Sequence, residues 1–181
     1  MVYVSNGGDN TVSVIDTSTN TVIATIPVGV PPTLIALTPD NTRAYVANEG
    51  SNDFTPINTA TNTLITTISV GPRATGVAVT PDGTHVLATN TDSNTVSVIS
   101  TATNTVVGTI PVGTAPQGVT VTPDGTRVYV TNGLSSDVTV IATAAAFAGA
   151  PANAFTVYGA TPQRDAAAIG FQASTNVATA A

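Results

Sequence analysis

The chain has 181 residues, 42% of them hydrophobic and only 8% charged, where globular domains usually carry roughly 25% charged residues. It has no Lys, its basic residues are Arg43, Arg73, Arg127 and Arg164, and its formal net charge is −6, a balance that argues against nucleic acid and anionic membranes as partners. The absence of Cys excludes disulfides and thiolate metal sites.

From its first residues the chain reads as strand, Val2-Tyr3-Val4, with no positively charged, apolar leader of the signal-peptide kind. No apolar run approaches the ~20 residues that span a bilayer, so membrane insertion is not expected. Tyr3-Val4-Ser5-Asn6 then returns as Tyr45-Val46-Ala47-Asn48, Leu87-Ala88-Thr89-Asn90 and Tyr129-Val130-Thr131-Asn132, each step being 42 residues without a gap. The same step relates Thr38-Pro39-Asp40 to Thr80-Pro81-Asp82 and Thr122-Pro123-Asp124, and Gly29 to Gly71 and Gly113. A fixed period of this size signals a stacked repeat architecture.

Within one period, apolar alternation and turn chemistry mark four strands, A to D. Strand A is Gly76 to Thr80 and ends at Pro81-Asp82-Gly83, a tight turn in which Pro presets φ and Gly, or Asn41 in an earlier copy, takes the left-handed position. Strand C is Thr95 to Ile99, strand D runs from Val106 to Val112 before Gly113, and strand B is Arg127 to Thr131. Large residues alternate on both faces of B and C, which implies sheets buried on both sides. Four short antiparallel strands per period, stacked between copies of themselves, describe the blade of an all-β propeller with about four blades, either a closed small ring or a partial propeller. The Tyr129-Val130-Thr131-Asn132 signature with Thr122-Pro123-Asp124-Gly125 before it resembles the YVTN-family β-propeller repeat of bacterial and archaeal surface proteins over residues 1 to about 141. The resemblance implies seven-bladed rings at the cell surface or in the periplasm and brings no shared catalytic set.

The expected blades are 1–29 (a partial B-C-D unit), 30–71, 72–113 and a degenerate 114–159, with a closing strand A within 160–172 and a disordered tail at 173–181. Pro56 stands where strand C has Val14, Val98 and Val140, and its missing N–H predicts local irregularity. After Ile141 an Ala-rich stretch through Pro151 reads as a short helix or an insertion, and Val157-Tyr158-Gly159 reads as a degraded strand D. An open stack exposes apolar end faces. A closed four-blade ring, two chains forming an eight-blade ring, or further blades encoded elsewhere would each cover them.

Chemistry-bearing residues are few. His85 is the only histidine and occupies the position of Arg43 and Arg127 at the start of strand B, a solvated edge. Asp40, Asp82 and Asp124 recur because the turn needs them, and Asn6-Gly7-Gly8-Asp9 is a B–C turn and not a phosphate cradle. The tyrosines at 3, 45 and 129 share a position with Leu87 and read as packing residues. Function would sit in the D–A and B–C loops, which open on one face of a propeller and vary between copies. There Arg73 is the single cation, and Arg73 with Glu49 and Asp92 is the candidate edge of a ligand or partner site. The leading expectation is a non-catalytic scaffold, not an enzyme, with no cofactor, presenting loops to a protein or glycan partner outside the cell. The alternatives are a propeller enzyme of lactonase-like or quinoprotein-like type, by analogy of fold, and a structural spacer in a surface layer.

Overall fold

Alternating Val, Ile and Thr between Asn- and Gly-bearing turns can bury two sheet faces only by stacking sheets. The computed structural model, which describes residues 1–143, 157–160 and 177–179, is such a stack. The first sheet holds β1 (Val2–Asn6), β2 (Thr11–Asp16) and β3 (Thr21–Pro27). The second holds β4 (Pro32–Leu37), β5 (Arg43–Asn48), β6 (Asp53–Asn58), β7 (Thr63–Leu64) and β8 (Ile68–Ser69). The third holds β9 (Ala74–Val79), β10 (His85–Asn90), β11 (Thr95–Ser100) and β12 (Thr105–Pro111), and the fourth β13 (Pro116–Val121), β14 (Arg127–Asn132), β15 (Asp137–Ala142) and β16 (Val157–Ala160). Every pairing is antiparallel, and all join chain neighbours but two: β8 pairs with β6, and β17 (Val177–Thr179) pairs with β1 and completes the first sheet as β17-β1-β2-β3. These are propeller blades, four of them among the described residues.

The turns follow from residues that tolerate a left-handed backbone. Asn10, Asn52, Asn94 and Ser136 at the B–C turns, Asn20, Asn62 and Asn104 at the C–D turns, and Asn41, Gly83 and Gly125 at the A–B turns all have positive φ. Each A–B turn is closed by its Asp: the backbone N–H groups of Thr42, Thr84 and Thr126 donate to Asp40, Asp82 and Asp124 at 3.1, 3.0 and 3.0 Å. The Asn that ends each signature grips the next strand. Asn48 Nδ2 donates to Asp53 and Thr55, and Asn132 Nδ2 to Asp137 and Thr139. Against that Asn lies the glycine that closed the blade before. A Cβ on Gly71 would sit 2.6 Å from Asn90 Cγ, so this recurrent glycine is required by close approach.

Three apolar clusters join successive sheets. Tyr3, Val12, Val14 and Ile26 meet Ala44, Val46 and Ile57; Tyr45, Ala47, Phe54 and Ile68 meet Ala74, Val86, Ala88 and Ile99; Leu87, Val96, Val98 and Ile110 meet Val128, Val130 and Ile141. Six repeat positions serve each time; the second cluster lacks the position of Val14 and Val98, taken by Pro56, and adds Ala47 and Ala74. Two polar links reinforce them: the Tyr3 hydroxyl lies 2.9 Å from Asn62 Oδ1 and the Tyr45 hydroxyl 3.0 Å from Asn104 Oδ1, and burial pushes both phenols above their ordinary pKa. Among the described residues no such cluster joins the fourth sheet to the first.

The expected irregularity at Pro56 is present. Where β3 and β12 are seven-residue outer strands, the second blade has only β7 and β8, with the break at residues 65–67. Pro56 occupies the register position of Val14 and Val98, which pair with Ala24 and Gly108, so the break falls where an N–H is missing. Val157–Ala160 is an outer strand on β15, and most of the Ala-rich stretch after Ile141 lies outside the described residues. The closing strand expected within 160–172 also falls outside them, save Ala160. Val177–Thr179, within the stretch expected to be a disordered tail, is a strand paired to β1.

Candidate functional site

The D–A loop between the second and third blades carries Arg73, whose backbone is left-handed with φ 58°. This conformation belongs to the repeat, since Ala115 at the equivalent position has φ 55°. Asn52 Oδ1 accepts the Arg73 backbone N–H at 2.7 Å, and Asn94 Oδ1 accepts that of Ala115 at 2.9 Å. The Asn of the second and third blades' B–C turns thereby fixes the loop that leaves the blade. Pro31, the third occupant of this position, has no N–H to offer.

Held in this way, Arg73 bridges two blades. Its Nε donates to Glu49 Oε1 at 2.8 Å, and its Nη1 lies 3.6 Å from Asp92 Oδ1. Glu49 belongs to the B–C turn of the second blade and Asp92 to that of the third. The three residues singled out in the sequence therefore converge, although Glu49 and Asp92 stand at different repeat positions. The hydrogen bond and charge of Glu49, then the charge of Asp92, hold the Arg73 guanidinium above its ordinary pKa. The side chains differ in exposure, 53% for Arg73, 57% for Asp92 and 31% for Glu49, so Glu49 is the anchor and Asp92 the more accessible carboxylate. With Pro31, Gly50, Asn52 and Pro72 they line an open cleft of about 490 Å³, a volume within the usual range of small-molecule sites. Asn52, which positions the cation, was missed in the sequence. Its signal was the recurrence of Asn10, Asn52 and Asn94 at one turn position.

His85 takes no part. Strands alternate direction, so the A–B turn that precedes it lies at the other end of the sheet from the cleft. It is half-buried with Thr84 Oγ1 2.8 Å from Nδ1, and burial lowers its pKa against the opposing charge of Asp82.

The model of the family described as "Lactonase, 7-bladed beta-propeller" matches residues 1–148. Among solved structures, the chain is similar to "Kuenenia stuttgartiensis Hydrazine Synthase", with a TM-score of 0.76 and 26% identity over 87% of this chain and 46% of that one. It is also similar in fold to "Dihydro-heme d1 dehydrogenase NirN in complex with DHE", with a TM-score of 0.73 and 18% identity over 87% of this chain and 34% of that one. The chain thus spans less than half the length of either. No curated protein matches the sequence. The family match overturns the expectation that the chain is not an enzyme. That expectation rested on a thin inventory of acids and a single histidine.

Proposed function

We propose a function from one premise: the chain belongs to the lactonase family of seven-bladed β-propellers. The activity is hydrolysis of a lactone, an internal ester, in the cleft between the second and third blades. The observation that carries this reading is the Glu49–Arg73–Asp92 bridge, one cation fixed by its anchor with a second, accessible carboxylate beside it.

Ester opening requires an electrophilic partner for the carbonyl oxygen and a base for water. The remaining N–H groups of Arg73 face the carbonyl oxygen and stabilise the oxyanion that forms when water adds to the carbonyl carbon. Asp92 takes the proton of the attacking water. The ring C–O bond then breaks, the leaving alkoxide recovers a proton from Asp92, and the product is an open hydroxy acid. Glu49 is a positioning residue, because its hydrogen bond aims the guanidinium. The finer reading of the repeat as YVTN-type, with an extracellular, cell-surface or periplasmic location, belongs to the same proposal and is supported by the signature and turn recurring in phase.

The test is acid release from five- and six-membered lactones, followed by pH-stat titration. Wild-type protein is expected to open at least one of them, and Arg73→Ala to lose about 100-fold or more, the usual effect of removing one oxyanion donor. Arg73→Lys should retain part of the rate. Release no faster than in buffer, or an Arg73→Ala variant as fast as wild type, would refute the assignment.

A further inference from the structure

The end of the sheets that carries the cleft is short of positive charge. The B–C turns and D–A loops lie there, and among the described residues this end holds Asp9, Glu49, Asp53, Asp92 and Asp137 against a single cation, Arg73. Asp53 and Asp137 accept from the amides of Asn48 and Asn132, neutral donors that leave their charge in place. Arg43 and Arg127 open β5 and β14 and so stand at the opposite end. Inside the cleft the balance is the same: Glu49 and Asp92 face one guanidinium, two negative charges to one positive. The rest of the lining, Pro31, Gly50, Asn52 and Pro72, is uncharged.

We propose that the cleft selects its lactone by charge, taking small rings without negative charge and excluding rings that carry a carboxylate or a phosphate; the proposal rests on the hydrolytic reading of the same cleft. Arg73 is the group that would anchor an anion, but its Nε is already given to Glu49 at 2.8 Å and Asp92 Oδ1 lies 3.6 Å from its Nη1. An anionic substituent therefore meets one unit of excess negative charge. At about 5 Å, through a medium near water's dielectric, that excess lowers affinity about 4-fold, and salt screens it. An uncharged ring uses the remaining N–H groups of Arg73 through its carbonyl oxygen without this penalty, so repulsion of the wrong ligand sets the selectivity. Turnover of an uncharged ring is compatible with the same field. When the oxyanion forms, Asp92 holds the proton of the attacking water, and the total charge of the occupied cleft is unchanged. Once the ring has opened and Asp92 has returned its proton, the hydroxy acid loses its own proton to water. The resulting carboxylate is repelled from the cleft in which it formed.

Lactams separate the two readings, because they share the shape of the ring and its carbonyl while their amide resists hydrolysis. The probes are pyroglutamide, uncharged, and pyroglutamate, an anion, titrated at neutral pH and low ionic strength while the Arg73 Nε–H resonance is followed by NMR. Pyroglutamide is expected to bind about 4-fold or more tightly than pyroglutamate. The gap should close in about 1 M salt, where the screening length falls to about 3 Å. Glu49→Gln keeps an acceptor oxygen for Arg73 Nε and removes one negative charge, so it should narrow the gap as well. Equal or tighter binding of pyroglutamate overturns the proposal, as does a gap that survives both salt and Glu49→Gln, or an Arg73 resonance that neither probe moves. Lactams that follow the expected order while no lactone is opened would refute hydrolysis and leave a charge-selective site for uncharged cyclic carbonyl ligands. Lactones opened equally fast with and without a carboxylate on the ring would refute the selection and leave hydrolysis standing.

Discussion

The turn aspartates show how one residue type, repeated, couples the fold to pH. Asp40, Asp82 and Asp124 each accept hydrogen bonds from the Thr two before, through Oγ1, and from the Thr two after, through its backbone and Oγ1. The hydroxyl of the preceding Thr is the largest cause, the following backbone N–H the next, and together they hold all three carboxyls below the ordinary carboxylate pKa. The native state thus favours the charged form more than the unfolded chain does. The resulting stability is complete above the unfolded carboxylate pKa and is lost as pH falls through the lowered native values. The midpoint of thermal unfolding is expected to be flat near neutrality and to drop below about pH 4. The triple variant Asp40→Asn, Asp82→Asn, Asp124→Asn keeps an acceptor oxygen in each turn but removes the titration. Its unfolding midpoint, followed by circular dichroism across the same range, should fall less steeply with acid. An equal slope would assign the acid sensitivity to other groups. These turns were legible in the sequence because their chemistry is local: a left-handed Gly or Asn and an Asx hydrogen bond two residues on.

Strands with a regular two-residue alternation were legible for the same reason, whereas events that depend on a neighbouring strand were legible only in part. Pro56 marked the irregular blade from its own missing donor, but where the break appears is decided by its partner, the outer strand between β7 and β8. The closing strand shows the opposite case. The resemblance of Val157-Tyr158-Gly159 to an earlier copy located an outer strand, whereas nothing in the local pattern of Val177–Thr179 identifies it as the partner of β1; that role comes from the free edge of β1. The candidate site divides along the same line. Exclusion from the repeat consensus picked out Arg73, Glu49 and Asp92, but their contact spans two blades, and Asn52 was hidden because it looked like an ordinary turn residue. Restoring the ladder tests this account of the second blade. Pro56→Val returns an N–H to the position where Val14 and Val98 have one, opposite Thr66, and is expected to stabilise the protein by about 0.5–1.5 kcal/mol, one net hydrogen bond. Urea unfolding would read the gain, and hydrogen exchange would show new protection at residue 56. A loss of stability would mean that the break is required by packing and not by the proline.

At the scale of the molecule, stability is a chain of nearest-neighbour contacts, and the site inherits its rigidity from one of them. The second–third interface, with Tyr45, Phe54, Val86 and Ile99 in one cluster, sets the separation between the Glu49 and Asp92 turns that Arg73 spans. The third–fourth interface, built around Leu87, Val98 and Val130, lies one blade away. In stacked repeats a lesion at one interface acts mainly on the units it joins. Leu87 is fully buried, and truncating such a side chain costs about 2–5 kcal/mol through lost transfer energy and the cavity left behind. Leu87→Ala is therefore expected to lower the opening free energy of the fourth blade first. Native-state hydrogen exchange should show β14 and β15 losing protection while β1, β2, β5 and β6 keep theirs, and the lactone hydrolysis proposed for the Arg73 cleft should be retained. The counterpart Ile99→Ala strikes the interface beneath the site and is expected to cost similar stability while also reducing lactone turnover. If both substitutions lowered protection evenly through all four sheets, the blades would be one cooperative unit, and the site would depend on the whole stack instead of the two sheets that hold it.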